Sequence, residues 1–247
     1  MASNTTFFTP TDPISINTLL SLTGESAHLA WILQTATPDT QTDRASGLAA
    51  NGDEAAWKAH NSRTTVTAVY QCFGVSGNLT LPRVGIIAST YHLDTVKLDY
   101  NPTGFPSLTV TMHKHTGAST HAADSCNEYA SPIVFPAQFG IPATLSDNTS
   151  PTPVVMFALS AAGVGMRSLS FGLSCTHVDE LGGAGDWLAG DNHDGVETLD
   201  LEFTGVPEGA DITIAAVWHT GTDGTPEGNT AVNTRKLSLT RHLARAA

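Results

Sequence analysis

Hydrophobic and polar residues alternate with a period of two through much of this chain, and that alternation predicts strands with one buried face. Val66, Ala68, Tyr70 and Cys72 take one side of a segment whose other side carries Thr65, Thr67 and Gln71. Val96, Leu98 and Tyr100 alternate with Lys97 and Asp99, and Leu108, Val110 and Met112 with Thr109 and Thr111. The second half repeats the pattern more cleanly. Leu169, Phe171, Leu173 and Cys175 stand against Ser168, Ser170 and Ser174, and Leu199, Leu201 and Phe203 against Asp200 and Glu202. Ile212, Ile214, Ala216 and Trp218 read as one face of a further strand. Leu237, Leu239 and Leu243 read as a last strand, bearing Arg235, Lys236, Arg241 and Arg245. Residues 28–36 and 154–159 are short apolar runs suited to buried strands, whereas 37–50 is small and turn-like. Ala55 to His60, with Asp53 and Glu54 at its start, is the best helix candidate. The fold class is therefore mostly β, a β-sandwich or barrel with at most one or two short helices.

The same strand-turn-strand stretch occurs twice. Leu98-Asp99-Tyr100 recurs as Leu201-Glu202-Phe203, Thr103-Gly104-Phe105-Pro106 as Thr204-Gly205-Val206-Pro207, and His115-Thr116-Gly117 as His219-Thr220-Gly221. Upstream, Arg63 to Cys72 recurs as Arg167 to Cys175. An offset that stays near one value along the chain points to an internal duplication. It divides the chain into a polar N-terminal arm at 1–24, a first β repeat at 25–125, and a second at 126–247 that ends in the C-terminal strand. Pro132, Pro136, Pro142, Pro151 and Pro153 break up the stretch 118–153 between the repeats. The predicted cores are Val66, Ala68, Tyr70, Val96, Leu98, Tyr100, Leu108 and Val110 in the first repeat. The second contributes Leu169, Phe171, Leu173, Leu199, Leu201, Phe203, Ile212, Ile214 and Trp218.

Composition narrows the function classes. The 247 residues carry a net charge of −12 with only 11 Lys and Arg, a balance that repels a phosphate backbone and argues against nucleic-acid binding. No apolar run is long enough to span a bilayer, and the N-terminal residues lack a secretory signal pattern, so no membrane partner is expected. The three cysteines, Cys72, Cys126 and Cys175, form no CxxC and suit a reducing compartment.

Candidate chemistry is sparse. His113 and His115 stand two apart on a predicted strand and share a face, and with His121, Asp124 and Cys126 they compose a possible zinc site. The stretch 178–196 gathers Asp179, Glu180, Asp186, Asp191 and Asp194 among glycines without the spacing of a calcium loop, and reads as an acidic contact loop carrying Trp187. Glu197 and Asp200, on the strand that follows, are expected to face solvent. No nucleophile elbow, P-loop or dinucleotide fingerprint is present. The sequence thus assigns no catalytic, cofactor-binding or metal residue, and no cofactor. The expectation is a protein that is not an enzyme.

The stretches RSLSFGLSCTHVDE (167–180), LAGDNHDGVETLDLEFTG (188–205) and NTRKLSLTRHL (233–243), in an acidic β-rich chain without catalytic motifs, resemble the tail-tube class of tailed-bacteriophage virion proteins. The resemblance implies β-sandwich or barrel subunits that stack as rings into a hollow tube, made in the host cytoplasm and ending in the virion. The implied partners are copies of the same chain and other virion proteins. On this reading 1–24, 118–153 and 178–196 become ordered only at subunit contacts, the acidic stretch meeting Arg235, Lys236, Arg241 or Arg245 of another copy. The alternatives are a β-sandwich binding module for a glycan or other surface ligand, acting through 178–196, or a metal-dependent hydrolase built on His113, His115 and His121.

Overall fold

The computed structural model describes residues 31–73, 77–79, 81–85, 87–88, 91–115, 127–147, 154–159, 165–182, 187–204, 212–223 and 234–243. Among them the chain is mostly β, with no helix, and folds into two antiparallel sheets arranged as a sandwich. The strands in chain order are β1 (Trp31–Leu48), β2 (Glu54–Cys72), β3 (Asn78–Leu79), β4 (Ile87–Ala88), β5 (Tyr91–Tyr100), β6 (Ser107–His115) and β7 (Ile133–Pro136). They continue as β8 (Thr144–Asp147), β9 (Val154–Leu159), β10 (Gly165–Leu181), β11 (Trp187–Thr204), β12 (Ile212–Ile214), β13 (His219–Asp223) and β14 (Thr234–His242). The large sheet runs β1-β2-β6-β5-β10-β11-β14-β13, with β4 paired to the end of β5; the small one runs β12-β9-β8-β7-β3.

The alternation seen in the sequence sets the register. Tyr70, Leu108, Leu98, Phe171, Leu199 and Leu239 align across β2, β6, β5, β10, β11 and β14, and all six are buried. Every residue of the first predicted core set is buried. In the second set Leu169, Phe171, Leu173, Leu199, Leu201, Phe203 and Trp218 are buried and Ile214 is partly so. The small sheet covers this face, with Phe135 of β7 against Phe171 (ring centroids 4.6 Å apart) and Phe157 of β9 near Phe203 (6.2 Å). The Tyr100 hydroxyl donates to the Pro136 carbonyl at 2.7 Å, so the phenol enters the core without leaving its polar end unpaired.

The two halves share the large sheet, because β5 pairs with β10 from Leu169↔Tyr100 to Ser174↔Thr95. The strands equated by the sequence repeat pair differently. β2 lies beside β6, whereas β10 lies beside β11 and β12 belongs to the small sheet. His115 is buried at the end of β6, while its counterpart His219 is exposed on β13.

Several expectations are corrected. Ala55 to His60 is not a helix but part of β2, and 37–50 is mainly strand β1, because the two segments pair from Trp31↔Cys72 to Leu48↔Glu54. Asn51-Gly52, with Gly52 at φ 86°, turns the chain between them, and Gly52 N–H donates to the Ala49 carbonyl. A six-residue helix lacks the hydrogen bonds to compete with such a hairpin. The strand expected over Ile212 to Trp218 breaks after Ile214. Trp218 N–H donates to the Ala215 carbonyl, a turn that exposes Ala216 and buries Trp218. The stretch 178–196 is not a loop, since its described residues continue β10 and β11 as a hairpin, from Thr176↔His193 to Leu181↔Trp187. Between the repeats, β7 and β8 are ordered within the subunit, with Ile133, Phe135 and Leu145 buried. Residues 1–24, His121, Asp124 and Cys126 lie outside the described residues.

Candidate functional site

Three features outside the plain sandwich carry chemistry or shape. The first is a buried group of histidines and carboxylates where β6, β5 and β10 part company. The β6 core residues are Leu108, Val110 and Met112; His113 and His115, being odd-numbered, leave the strand on its other side. On β5 the register slips between Leu93 and Thr95, so Asp94 is an extra residue at a β-bulge. The bulge lets His92 and Asp94 reach the same place as His113. β10 stops pairing with β5 after Ser174↔Thr95, and its onward course brings in His177 and Asp179.

Asp94 accepts from His113 Nδ1 at 2.8 Å and from His92 Nδ1 at 2.9 Å. His177 Nδ1 lies 2.8 Å from Asn192 Oδ1, and its Nε2 lies 3.0 Å from Asp179 Oδ1. His115 Nε2 is also 3.0 Å from Asp179 Oδ1. The rings stack closely, with His92 and His177 centroids 4.1 Å apart, and His113 and His177 4.9 Å. Three of the histidines are buried, His92 at 0% exposed together with His113 and His115, whereas Asp94, His177 and Asp179 are partly exposed.

Asn192 is fixed from β11 by the loops that cover it. Its Nδ2 donates to the carbonyls of Gly85 (3.2 Å) and Asn127 (3.3 Å). Only glycine serves at position 85, where φ is +83° and an added Cβ would lie 2.2 Å from the Asn127 carbonyl oxygen. Gly190 similarly leaves space for the His177 ring, since a Cβ there would come within 2.4 Å of it.

Burial opposes the charged forms throughout, and hydrogen bonds decide the outcome. Burial lowers the His92 pKa, more than Asp94 raises it. For Asp94, burial is outweighed by the hydrogen bonds from His113 and His92, which hold the carboxyl below the usual range. Asp179 is likewise held low by His115 and His177 against its burial. His177 is raised, because Asp179 and Asn192 outweigh its burial. One nitrogen from each of His113, His115 and His177 and one Asp179 oxygen lie within 4.8 Å of one another; His92, Asp94 and His113 form a second such group. Such a donor set suits a first-row divalent cation.

Of the metal residues weighed from sequence, the structure brings together His113 and His115. The reading missed His92, Asp94, His177 and Asn192. A signal was present: His92-x-Asp94, His113-x-His115 and His177-x-Asp179 are three ligand pairs spaced two apart on strands. That β5, β6 and β10 are neighbours is not visible in the chain.

The second feature is a buried ion pair behind the core. Glu197, expected in solvent, is 0% exposed and accepts from Arg241 Nε at 2.7 Å. Arg241 also reaches Asp147 of the small sheet at 3.5 Å and lies over the Trp218 ring, its guanidinium carbon 5.0 Å from the ring centroid. Arg241 is therefore not available to an acidic stretch of another copy. Asp200 faces solvent as expected.

The third feature is an arm. β2 pairs with β6 only from Arg63 to Gln71, so residues 42–62 form a two-stranded hairpin with no third strand among the described residues. Residues 37–59 are exposed throughout, including Leu48 at 69% and Trp57 at 63%. On its surface Arg44 pairs with Glu54 and lies over the Trp57 ring. With β-strand rise, such an arm extends about 30 Å. The chain matches no protein-family model, and no curated protein matches it.

Proposed function

We propose that this protein is a self-assembling structural subunit of the virion-tube kind that its sequence resembles, and that the β1–β2 arm is the element by which one copy grips the next. The arm carries the reading. A free two-stranded hairpin is marginal in water, and this one has no core of its own while presenting Trp57 and Leu48 to solvent. Laid on a neighbouring subunit, it buries both side chains and gains strand partners. The sheet ends point the same way, since among the described residues β1 and β13 are terminal strands whose outer hydrogen-bonding groups can continue into another copy. On this reading no cofactor takes part in assembly. Partners are copies of the same chain and, on the resemblance, other virion proteins.

The test replaces residues 42–62 by an Asn-Gly turn, closing the hairpin at Gln41 and Arg63, which already pair. The full chain should form rings or tubes in negative-stain micrographs. The shortened one should keep its β circular-dichroism spectrum and sediment as a monomer. A full chain that stays monomeric at high concentration, or a shortened one that assembles equally well, overturns the reading.

One observation favours a second reading, a glycan-binding module. A groove of about 470 Å³ on the solvent side of β10, β11 and β14 is lined by Ser168, Ser170, Asp200, Glu202, Lys236 and Ser238. Hydroxyls and carboxylates of that kind hydrogen-bond sugars. Glycan-array binding abolished by Asp200→Ala is the result that would support it.

A further inference from the structure

We propose that His113, His115, His177 and Asp179 bind one divalent first-row cation, zinc by the chemistry of the donors, as a closed structural site that ties β10 to β6 where β10 leaves β5. The argument rests on where the protons must be. Asn192 Nδ2 donates to two backbone carbonyls, so its Oδ1 is the atom that faces His177 Nδ1, and that nitrogen carries a hydrogen. His177 Nε2 then points at Asp179 Oδ1 only 3.0 Å away, a contact that either a proton on that nitrogen or a cation shared by the two can hold.

The same logic applies on the other side. Asp94, a carboxylate, accepts from Nδ1 of both His92 and His113, so both are Nδ1–H tautomers. Their Nε2 atoms are buried and have no hydrogen-bond partner among the described residues. Leaving buried polar atoms unpaired is costly, and natural sites that do so deserve a reason. A proton on His177 Nε2 would satisfy the contact with Asp179 and nothing else. A cation serves His177, Asp179, His115 and the free nitrogen of His113 together.

The surroundings have the form of a metal shell. Asp94 on His113 and Asn192 on His177 each orient a histidine through the nitrogen that does not bind the ion, the usual outer arrangement around zinc. Donors on a tetrahedral ion with bonds of about 2.0–2.2 Å sit about 3.3–3.6 Å apart. The four here lie within 4.8 Å, so modest side-chain rotations close the shell. Four protein ligands complete a tetrahedral shell and leave no open position for substrate, which makes the site structural rather than catalytic. The ion would join strands that are far apart in sequence, β6 at 113–115 and β10 at 177–179.

The experiment strips the full-length protein with a chelator, adds zinc alone, removes the excess by gel filtration and counts metal per chain. Expected is one zinc per chain and an unfolding midpoint several degrees above that of the stripped protein. His115→Ala with Asp179→Asn abolishes both effects, Asp94→Asn weakens binding by about 10–100-fold, and exposed His193→Ala changes neither. No stoichiometric zinc in the wild type, or full binding by the double variant, overturns the proposal. Should the double variant not fold, cobalt(II) added to the stripped wild type decides. Intense visible bands of a tetrahedral ion support the site, and the weak spectrum of a six-coordinate ion rejects it. The outcome is independent of assembly, because metal content is read on the dissolved subunit whether or not it forms tubes.

Discussion

Arg241 shows how much one side chain can hold. It is buried in the large sheet, paired with Glu197 and reaching Asp147 of the small one. Burial pushes the Glu197 carboxyl up, against the pull of the Ser131 hydrogen bond and the Arg241 charge. A carboxyl that takes its proton more readily in the folded chain contributes its full stability below its ordinary value of 4.5 and loses it as the pH climbs through the folded value. Removing the cation lifts that folded value further. Arg241→Met should therefore cost about 3–5 kcal/mol near neutral pH, the usual loss when a buried pair is broken. The deficit should narrow towards pH 5, as Glu197 takes up a proton. Urea unfolding of both proteins at pH 5 and 7.5 reads this directly. A deficit independent of pH would show that the two groups are not coupled. Cys72 needs no such partner: burial raises its thiol to about 11, so it stays protonated and behaves as a small core residue.

At the scale of elements, β2 is two structures in one strand. From Thr64 to Cys72 it alternates buried and half-buried residues between β1 and β6, whereas from Glu54 to Ala59 it is exposed and has β1 alone. Backbone hydrogen bonds near solvent, with little packed around them, open at low free energy. In the unassembled subunit, amides of residues 42–61 should exchange with deuterium far faster than those of 64–72, and in assembled material they should become protected. Hydrogen exchange read by mass spectrometry separates the two segments. Equal protection of both in the free subunit would mean that the arm is held by something within the same chain. The β10–β11 hairpin differs from this arm because Asp179 meets His115 of β6 and Asn192 donates to the carbonyls of Gly85 and Asn127.

For the whole molecule, the question is whether the halves behave as one body. The large sheet crosses from first half to second at β5–β10, and the small sheet packs Phe135 on Phe171 and Phe157 near Phe203. A shared core of this kind predicts one cooperative transition. Far-ultraviolet circular dichroism and tryptophan fluorescence should give coincident urea midpoints. Phe135→Ala should lower the single midpoint by an amount equivalent to about 3–5 kcal/mol. Two separated transitions, with Phe135→Ala moving only one of them, would show that the halves unfold independently.

What the sequence determined by itself was the local pattern. Alternation in Val66 to Cys72, Leu98 to Tyr100 and Leu169 to Leu173 named the buried face residue by residue, because the pleat repeats every two positions whatever the partner strand. The same rule put His113 and His115 on one side of one strand. Partnership was not legible. Ala55 to His60 looks helical in isolation and becomes a strand only because 37–48 lies beside it. The acidic stretch after Val178 looks like a loop until β10 and β11 pair through it. Glu197 reads as a solvent-facing carboxylate until Arg241, 44 residues later, arrives behind the core. The histidine site depends on a bulge at Asp94 and on β10 coming beside β5, and neither follows from composition or spacing. Periodicity is a property of a single strand's geometry, whereas which strands meet is decided by long-range packing, and in this chain only the tertiary structure supplies it.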